Sequence, residues 1–178
     1  MMASIGNNIL ITGTPGCGKT TLFKRLVEGL RHLEPVGFYT REIREGGVRK
    51  GFRLTGLDGS SGLLAHVDLP GDFRVGRYGV DVAGFEDFIV RIPFSNRGTR
   101  VVMIDEIGKM ECFSRKFQRL VSEALDSDKT FIATVALKGS GLIAAVKKRT
   151  DIQRFEAIRN NQETIISQIL TLLNHTYF

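Results

Sequence analysis

The chain has 178 residues, 42% hydrophobic and 25% charged, a balance that excludes disordered and collagen-like chains. Its 25 Lys and Arg against 19 Asp and Glu leave a net charge of +6, which suits an anionic partner without separating nucleotides from nucleic acid. Two cysteines, Cys17 and Cys112, are too few for a disulfide framework or a zinc site.

No apolar run approaches the roughly 20 residues of a spanning helix. Residues 1–6 carry neither the basic segment nor the apolar core of a leader. A cytoplasmic protein with no membrane partner is therefore expected. Trp is absent and Phe occurs 12 times, which predicts a phenylalanine-rich core.

Asn8-Ile9-Leu10-Ile11-Thr12 is short, apolar and closed by Gly13, the form of a buried parallel strand. A glycine-rich loop follows over residues 13–18. Leu22, Phe23, Leu26, Val27 and Leu30 then mark one stripe of a helix. Residues 36–43, 51–57 and 63–67 are short strand candidates separated by turns at Glu45-Gly46-Gly47 and over residues 58–62. They predict an antiparallel ribbon within residues 36–67, too short for a core of its own and hence an appendage to a larger sheet.

Residues 68–77, with Pro70, Gly71 and Gly76, read as loop. Phe85, Phe88, Ile89 and Ile92 have helical spacing, which Pro93 ends or kinks. Residues 95–99 form a polar linker. Val101-Val102-Met103-Ile104 is the most strand-like run and ends in Asp105-Glu106. A helix over 115–126, a buried strand over 130–137, a short helix over 141–148, a strand over 152–158 and a helix carrying Ile165, Ile166, Ile169, Leu170 and Leu173 complete the chain. This alternation predicts an α/β fold, a three-layer sandwich around a mostly parallel central sheet, in a single domain spanning residues 1–178.

Gly13-Thr14-Pro15-Gly16-Cys17-Gly18-Lys19-Thr20 fits the phosphate-loop pattern G-x-x-x-x-G-K-[ST], and it sits between a predicted strand and a predicted helix as that motif requires. Glycines let backbone N–H groups approach phosphate oxygens. The helix start aims its positive end at the anion. Lys19 supplies a full charge to the β- and γ-phosphates, and Thr20 offers a hydroxyl to Mg²⁺. Thr21 completes this part of the nucleotide-binding set. Cys17 lies inside the loop, where a thiol near a helix N-terminus is open to oxidation; the bland alternative is that its position merely tolerates a small side chain.

Four apolar residues followed by Asp105-Glu106 have the form of a Walker-B strand. Asp105 is expected at the carboxyl end of the sheet, beside the phosphate loop, as the second Mg²⁺ residue. Glu106 beside it suits a group that orients and polarises the attacking water. Gly108 permits close backbone approach to the nucleotide. Lys109 is either a second cation for the γ-phosphate, acting as an internal finger, or a solvated charge at a helix start. Thr134, near the end of the next strand, is a candidate partner of the γ-phosphate or the water. Arg41, Arg44, Arg49, Arg53, Arg74 and Arg77 lie on or after the ribbon, and no spacing gives any of them a role.

These residues resemble the thermostable nucleoside-triphosphatases of bacteria and archaea and their human relative, the cancer-related nucleoside-triphosphatase. The resemblance runs through residues 8–22, Gly37-Phe38-Tyr39-Thr40, Arg49-Lys50-Gly51-Phe52 and Tyr78-Gly79-Val80. Its most selective piece is Asp105-Glu106-Ile107-Gly108-Lys109-Met110-Glu111 with Phe113-Ser114 after it. It implies a P-loop domain related to the RecA and AAA+ groups and slow Mg²⁺-dependent hydrolysis of ATP, GTP, CTP and UTP to diphosphate and phosphate, with broad base preference. It places Lys19 and Thr20 in the phosphate site, Asp105 on the metal and Glu106 on the water. Where the family carries Thr-Pro-Glu-Asn-Arg before the last helix, this chain has Ile158-Arg159-Asn160-Asn161-Gln162, and Arg41 stands where the family has glutamate. These departures bear on base recognition and turnover and leave phosphate binding intact. A nucleotide kinase and a nucleic-acid-associated ATPase or switch stand as alternatives; Glu106 argues against the first, and no RNA-binding or helix-turn-helix signature favours the second.

Overall fold

The computed structural model describes residues 8–177, so residues 1–6, where no leader is expected, lie outside the described residues. In chain order the elements are β1 (Asn8–Thr12), α1 (Lys19–Gly29), β2 (Val36–Glu45), β3 (Val48–Gly56), β4 (Ser61–His66), β5 (Arg74–Val75), β6 (Tyr78–Val80) and α2 (Val82–Ile89). There follow β7 (Val101–Ile107), α3 (Arg115–Leu125), β8 (Thr130–Val135), α4 (Leu142–Lys148), β9 (Ile152–Glu156) and α5 (Gln162–Tyr177). Single 3-10 turns occupy Arg31–Leu33 and Glu111–Phe113.

The described strands form one sheet in the order β5-β6-β4-β3-β2-β7-β8-β1-β9. The half from β2 to β9 is parallel throughout. The half from β2 to β5 is antiparallel. The ribbon therefore continues the sheet rather than hanging from it, because β2 pairs with β7 on one side and β3 on the other. Gly37 makes that junction possible: a Cβ there would stand 1.7 Å from the Met103 carbonyl oxygen.

Two local expectations are corrected. Residues 68–77 are not all loop, since β5 pairs with β6 in a small hairpin that extends the sheet; strands of two and three residues carry no alternation for a pattern to register. The helix at Phe85 ends at Ile89, before Pro93, and its start is fixed by Asp81, whose carboxylate accepts the Gly84 N–H at 2.9 Å.

Side chains alternate between two cores, one on each face of the sheet. Leu10, Phe38, Val102, Ile104, Phe131 and Ala133 point to the face covered by α2, α3 and α4, where Phe38 packs edge-on against Phe85 and Phe88. Ile9, Ile11, Val101, Met103 and Ile132 point to the face covered by α1 and α5. The result is the expected three-layer α/β sandwich with a phenylalanine-rich core. No helix among the described residues is long and apolar enough to cross a membrane.

Candidate active site

The phosphate loop joins β1 to α1 at the carboxyl edge of the parallel strands. Gly18 caps α1 in the left-handed region at φ 96°, with no side-chain cap and no acidic residue in the first turn. The helix thus presents its first N–H groups and the positive end of its dipole unneutralised, a ready anion site. Lys19 turns back over the loop, its Nζ donating to the Gly13 and Thr14 carbonyls at 2.9 and 3.3 Å. Cys17 is buried in the core beneath α1, away from the exposure that oxidation of a thiol requires.

β7 delivers the acidic pair. Ile104 pairs with Ala133 and Ile107 with Val135, so Asp105 and Glu106 together face the single residue Thr134. This is a bulge, a device that re-aims side chains at a strand end; the Asp105–Glu106 peptide within it is cis. Asp105 is buried and held by three hydroxyls. Thr20 donates to Oδ2 at 2.7 Å, Thr134 donates to Oδ1 at 2.5 Å, and Thr40 donates to the backbone carbonyl at 2.9 Å. Burial raises the Asp105 carboxyl above its ordinary value, against the pull of Thr134, Thr20 and Lys19. Thr134 is thus committed to Asp105 rather than standing free for phosphate or water.

Thr20 and Asp105 offer a hydroxyl and a carboxylate side by side in the phosphate cleft, and the side-chain partners of Asp105 are hydroxyls rather than cations. That donor set fits Mg²⁺, which takes one or two protein oxygens and fills its octahedron with water and substrate phosphates. No cluster of three or more metal-ligating side chains occurs among the described residues, so an all-protein cage for a different metal is not offered.

Glu106 is raised by burial first and by the Asp105 charge second, with Lys19 and Lys147 opposing. Gly108 lies between Glu106 and Glu111: a Cβ on it would meet Glu111 Oε2 at 2.7 Å and Glu106 Oε1 at 3.1 Å. Glu111 is 4% exposed, and burial, with Glu106 beside it, pushes its carboxyl up to about 8. Lys109 opens the turn before the 3-10 segment and points into the same cleft, without a side-chain partner among the described residues.

A cleft of about 520 Å³ joins these groups. The phosphate loop and α1 contribute Gly16, Gly18, Lys19, Thr20 and Thr21; β7 and the following turn contribute Asp105, Glu106, Lys109 and Glu111; the ribbon contributes Thr40, Glu42, Phe52 and Leu64. On the other side of Lys19 lies a second cavity of about 530 Å³, bordered by Gly13, Pro15, Glu106 and residues 136–138. The ribbon arginines do not enter either cavity. Arg44 and Arg49 bind Glu42, Arg49 also binds the Tyr78 hydroxyl, and Arg41 binds the Tyr39 hydroxyl. Their work is to brace the ribbon.

The site also uses residues whose part the sequence alone does not assign. Thr40 sits in the Gly-Phe-Tyr-Thr string but has no spacing relation to Asp105. Gln162, the residue in the family's arginine position, donates through Nε2 to the Cys17 carbonyl at 2.8 Å and so touches the phosphate loop from α5. Glu111 belongs to the acidic string without any sign there of its burial.

Residues 8–170 match the family model described as NTPase. Nucleoside-triphosphatase THEP1 of Thermotoga maritima is 42% identical over 93% of this chain and 94% of its own length. The human cancer-related nucleoside-triphosphatase is 37% identical over 94% of this chain and 96% of its own. Among solved structures, the crystal structure of THEP1 from the hyperthermophile Aquifex aeolicus superposes with a TM-score of 0.81 at 34% identity, covering 93% of this chain and 98% of that one. The solution structure of a human cancer-related nucleoside triphosphatase gives 0.82 at 34% identity, covering 96% and 99%. A phosphate loop, an acidic strand end and a shared fold over nearly the whole chain thus lead to one conclusion: this chain belongs to the NTPase family that includes THEP1 and the cancer-related nucleoside-triphosphatases.

Proposed function

We propose that this chain is a Mg²⁺-dependent nucleoside-triphosphatase that converts nucleoside triphosphate and water to diphosphate and phosphate with broad base preference. The observation that carries this reading is Glu106, a carboxylate beside the Thr20–Asp105 pair that shares a cleft with the phosphate-loop lysine. The amides of residues 13–18, with Lys19, grip the polyphosphate. Thr20 and Asp105 would hold Mg²⁺, which when bound neutralises charge on the phosphate oxygens. Glu106 accepts a hydrogen bond from water and aims its oxygen at the γ-phosphorus. The new P–O bond forms as the bond to the β–γ bridging oxygen breaks, the diphosphate leaves with that electron pair, and the proton that the water gives up passes to the Glu106 carboxylate and from there to solvent. Gly108 leaves room for the turn that follows, and Lys109 brings a cation to the γ-phosphate.

The whole chain acts as one catalytic domain in this reading, which is supported by the cleft's walls coming from both the parallel strands and the ribbon. Glu106→Gln is expected to keep triphosphate binding and to lower phosphate release by about 10²–10⁴-fold, the usual range for loss of a positioned base. Lys19→Ala is expected to lose the binding itself. Phosphate release from ATP, GTP, CTP and UTP with Mg²⁺ and no added acceptor, together with nucleotide binding by each variant, tests the reading. Parent-rate hydrolysis by Glu106→Gln would remove Glu106 from its role, and a strict requirement for an acceptor would favour a kinase.

A further inference from the structure

The two cavities meet along Lys19 and Glu106, and beyond these they share only Ala136 and Lys138. On the proposed nucleotide reading, on which this inference rests, the terminal phosphate lies between Lys19 and Glu106. Lys138 is then the remaining cation that borders both sides of that position, whereas of these two cavities Lys109 borders only the first, the cleft that holds Thr20 and Asp105.

Its segment is pinned on both sides. The Ala136 N–H donates to the Ile107 carbonyl at 3.1 Å, at the end of the strand that carries Glu106. From α4, Lys147 donates to the carbonyls of Ala136 and Leu137, the latter at 2.7 Å. Gly139 packs so closely on Ile143 that a Cβ there would lie 2.5 Å from Ile143 Cδ1. Lys138 itself makes no ion pair or side-chain hydrogen bond among the described residues. It is exposed at the cleft mouth, and its ammonium is free to take an anionic ligand.

The geometry points to Lys138 as a catalytic residue that contacts the γ-phosphate where the two cavities meet. The chemistry calls for such a group. Negative charge spreads over the three equatorial oxygens of the transferring phosphoryl group and builds on the bridging oxygen, so each cation held against them lowers the barrier. No arginine borders either cavity among the described residues, and the task that an arginine performs in other phosphate sites falls here to lysine.

The test compares the parent, Lys138→Ala, Lys138→Arg and Lys19→Ala in two measurements: steady-state phosphate release from ATP, and binding of fluorescent methylanthraniloyl-ADP and its non-hydrolysable triphosphate counterpart, all with Mg²⁺. Lys138→Ala is expected to keep diphosphate affinity within about twofold, to weaken triphosphate affinity several-fold, and to lower kcat by about 10–100-fold, a range below the loss of a fully buried oxyanion donor because the residue is exposed. Lys138→Arg is expected to regain much of that rate. An unchanged kcat in Lys138→Ala, or equal loss of di- and triphosphate affinity, overturns the assignment. Unimpaired nucleotide binding by Lys19→Ala overturns instead the location of the nucleotide site, so the two failures are told apart.

Discussion

Glu111 is a buried carboxyl facing two others, and its charge state follows first from that burial and then from that company. Glu106 crowds it across Gly108, Asp105 adds a weaker repulsion, and the backbone N–H groups of Gly108 and Glu111 only partly compensate. Two carboxyls so placed cannot both be charged cheaply, so Glu111 holds its proton up to about pH 8. The folded-state value is raised above the ordinary 4.5. The stability linked to the neutral form is therefore fully present below pH 4.5 and is lost as pH rises toward 8. Gln is a neutral isostere with no such loss. Glu111→Gln is expected to match the parent near pH 5 and to exceed it in stability above pH 8, with a limit of about 1.4 kcal/mol for each unit of the shift. Urea unfolding at pH 5 and pH 8.5 measures both ends. A parent as stable at pH 8.5 as its Gln variant would mean that Glu111 ionises without penalty.

The junction between β2 and β7 shows how one position decides an element's place in the sheet. Gly37 and Met103 are register partners, and a Cβ on Gly37 would overlap the Met103 carbonyl, a backbone group that cannot step aside. Gly37→Ala is expected to cost at least about 3 kcal/mol, the upper end of overpacking penalties. Gly46→Ala is the fitting comparison: that glycine sits in the β2–β3 turn at φ 54° with open space around it, and the left-handed backbone alone costs about 1–2 kcal/mol. Denaturant midpoints for the two variants separate steric exclusion from backbone preference. The same junction explains what could be read beforehand. β1, β7 and β8 are short buried apolar runs, and the phosphate loop is a contiguous string, so local pattern suffices for them. That β2 pairs with β7 as well as β3 depends on a partner far along the chain. The bulge that aims Asp105 and Glu106 depends on register with β8, and the contact of Gln162 with Cys17 spans 145 positions. Such features arise only once the sheet is assembled.

The cleft is built from both halves of the molecule. Lys19, Thr20 and Asp105 come from the parallel half, Thr40, Glu42, Phe52 and Leu64 from the ribbon, and Thr40 ties the two by its bond to the Asp105 carbonyl. A triphosphate seated at the phosphate loop therefore contacts a surface that exists only while both halves are folded together. Its binding free energy adds to the stability of the whole chain, by about 2.7 kcal/mol at a ligand concentration 100 times Kd. For a chain of this length that is a rise of roughly 5–10 °C in melting temperature. On the proposed reading the γ-phosphate is the part of the ligand that meets Glu106 and its neighbouring cations, so a non-hydrolysable triphosphate with Mg²⁺ is expected to raise the transition more than the diphosphate at equal concentration. Both are expected to leave Lys19→Ala unmoved. Unfolding followed by far-UV and by the fluorescence of Tyr39 and Tyr78, which lie in β2 and β6, in a Tyr177→Phe background should shift together, because the ligand joins the halves. A shift confined to one probe would show that the ribbon unfolds apart from the parallel half and contributes no wall to the occupied site.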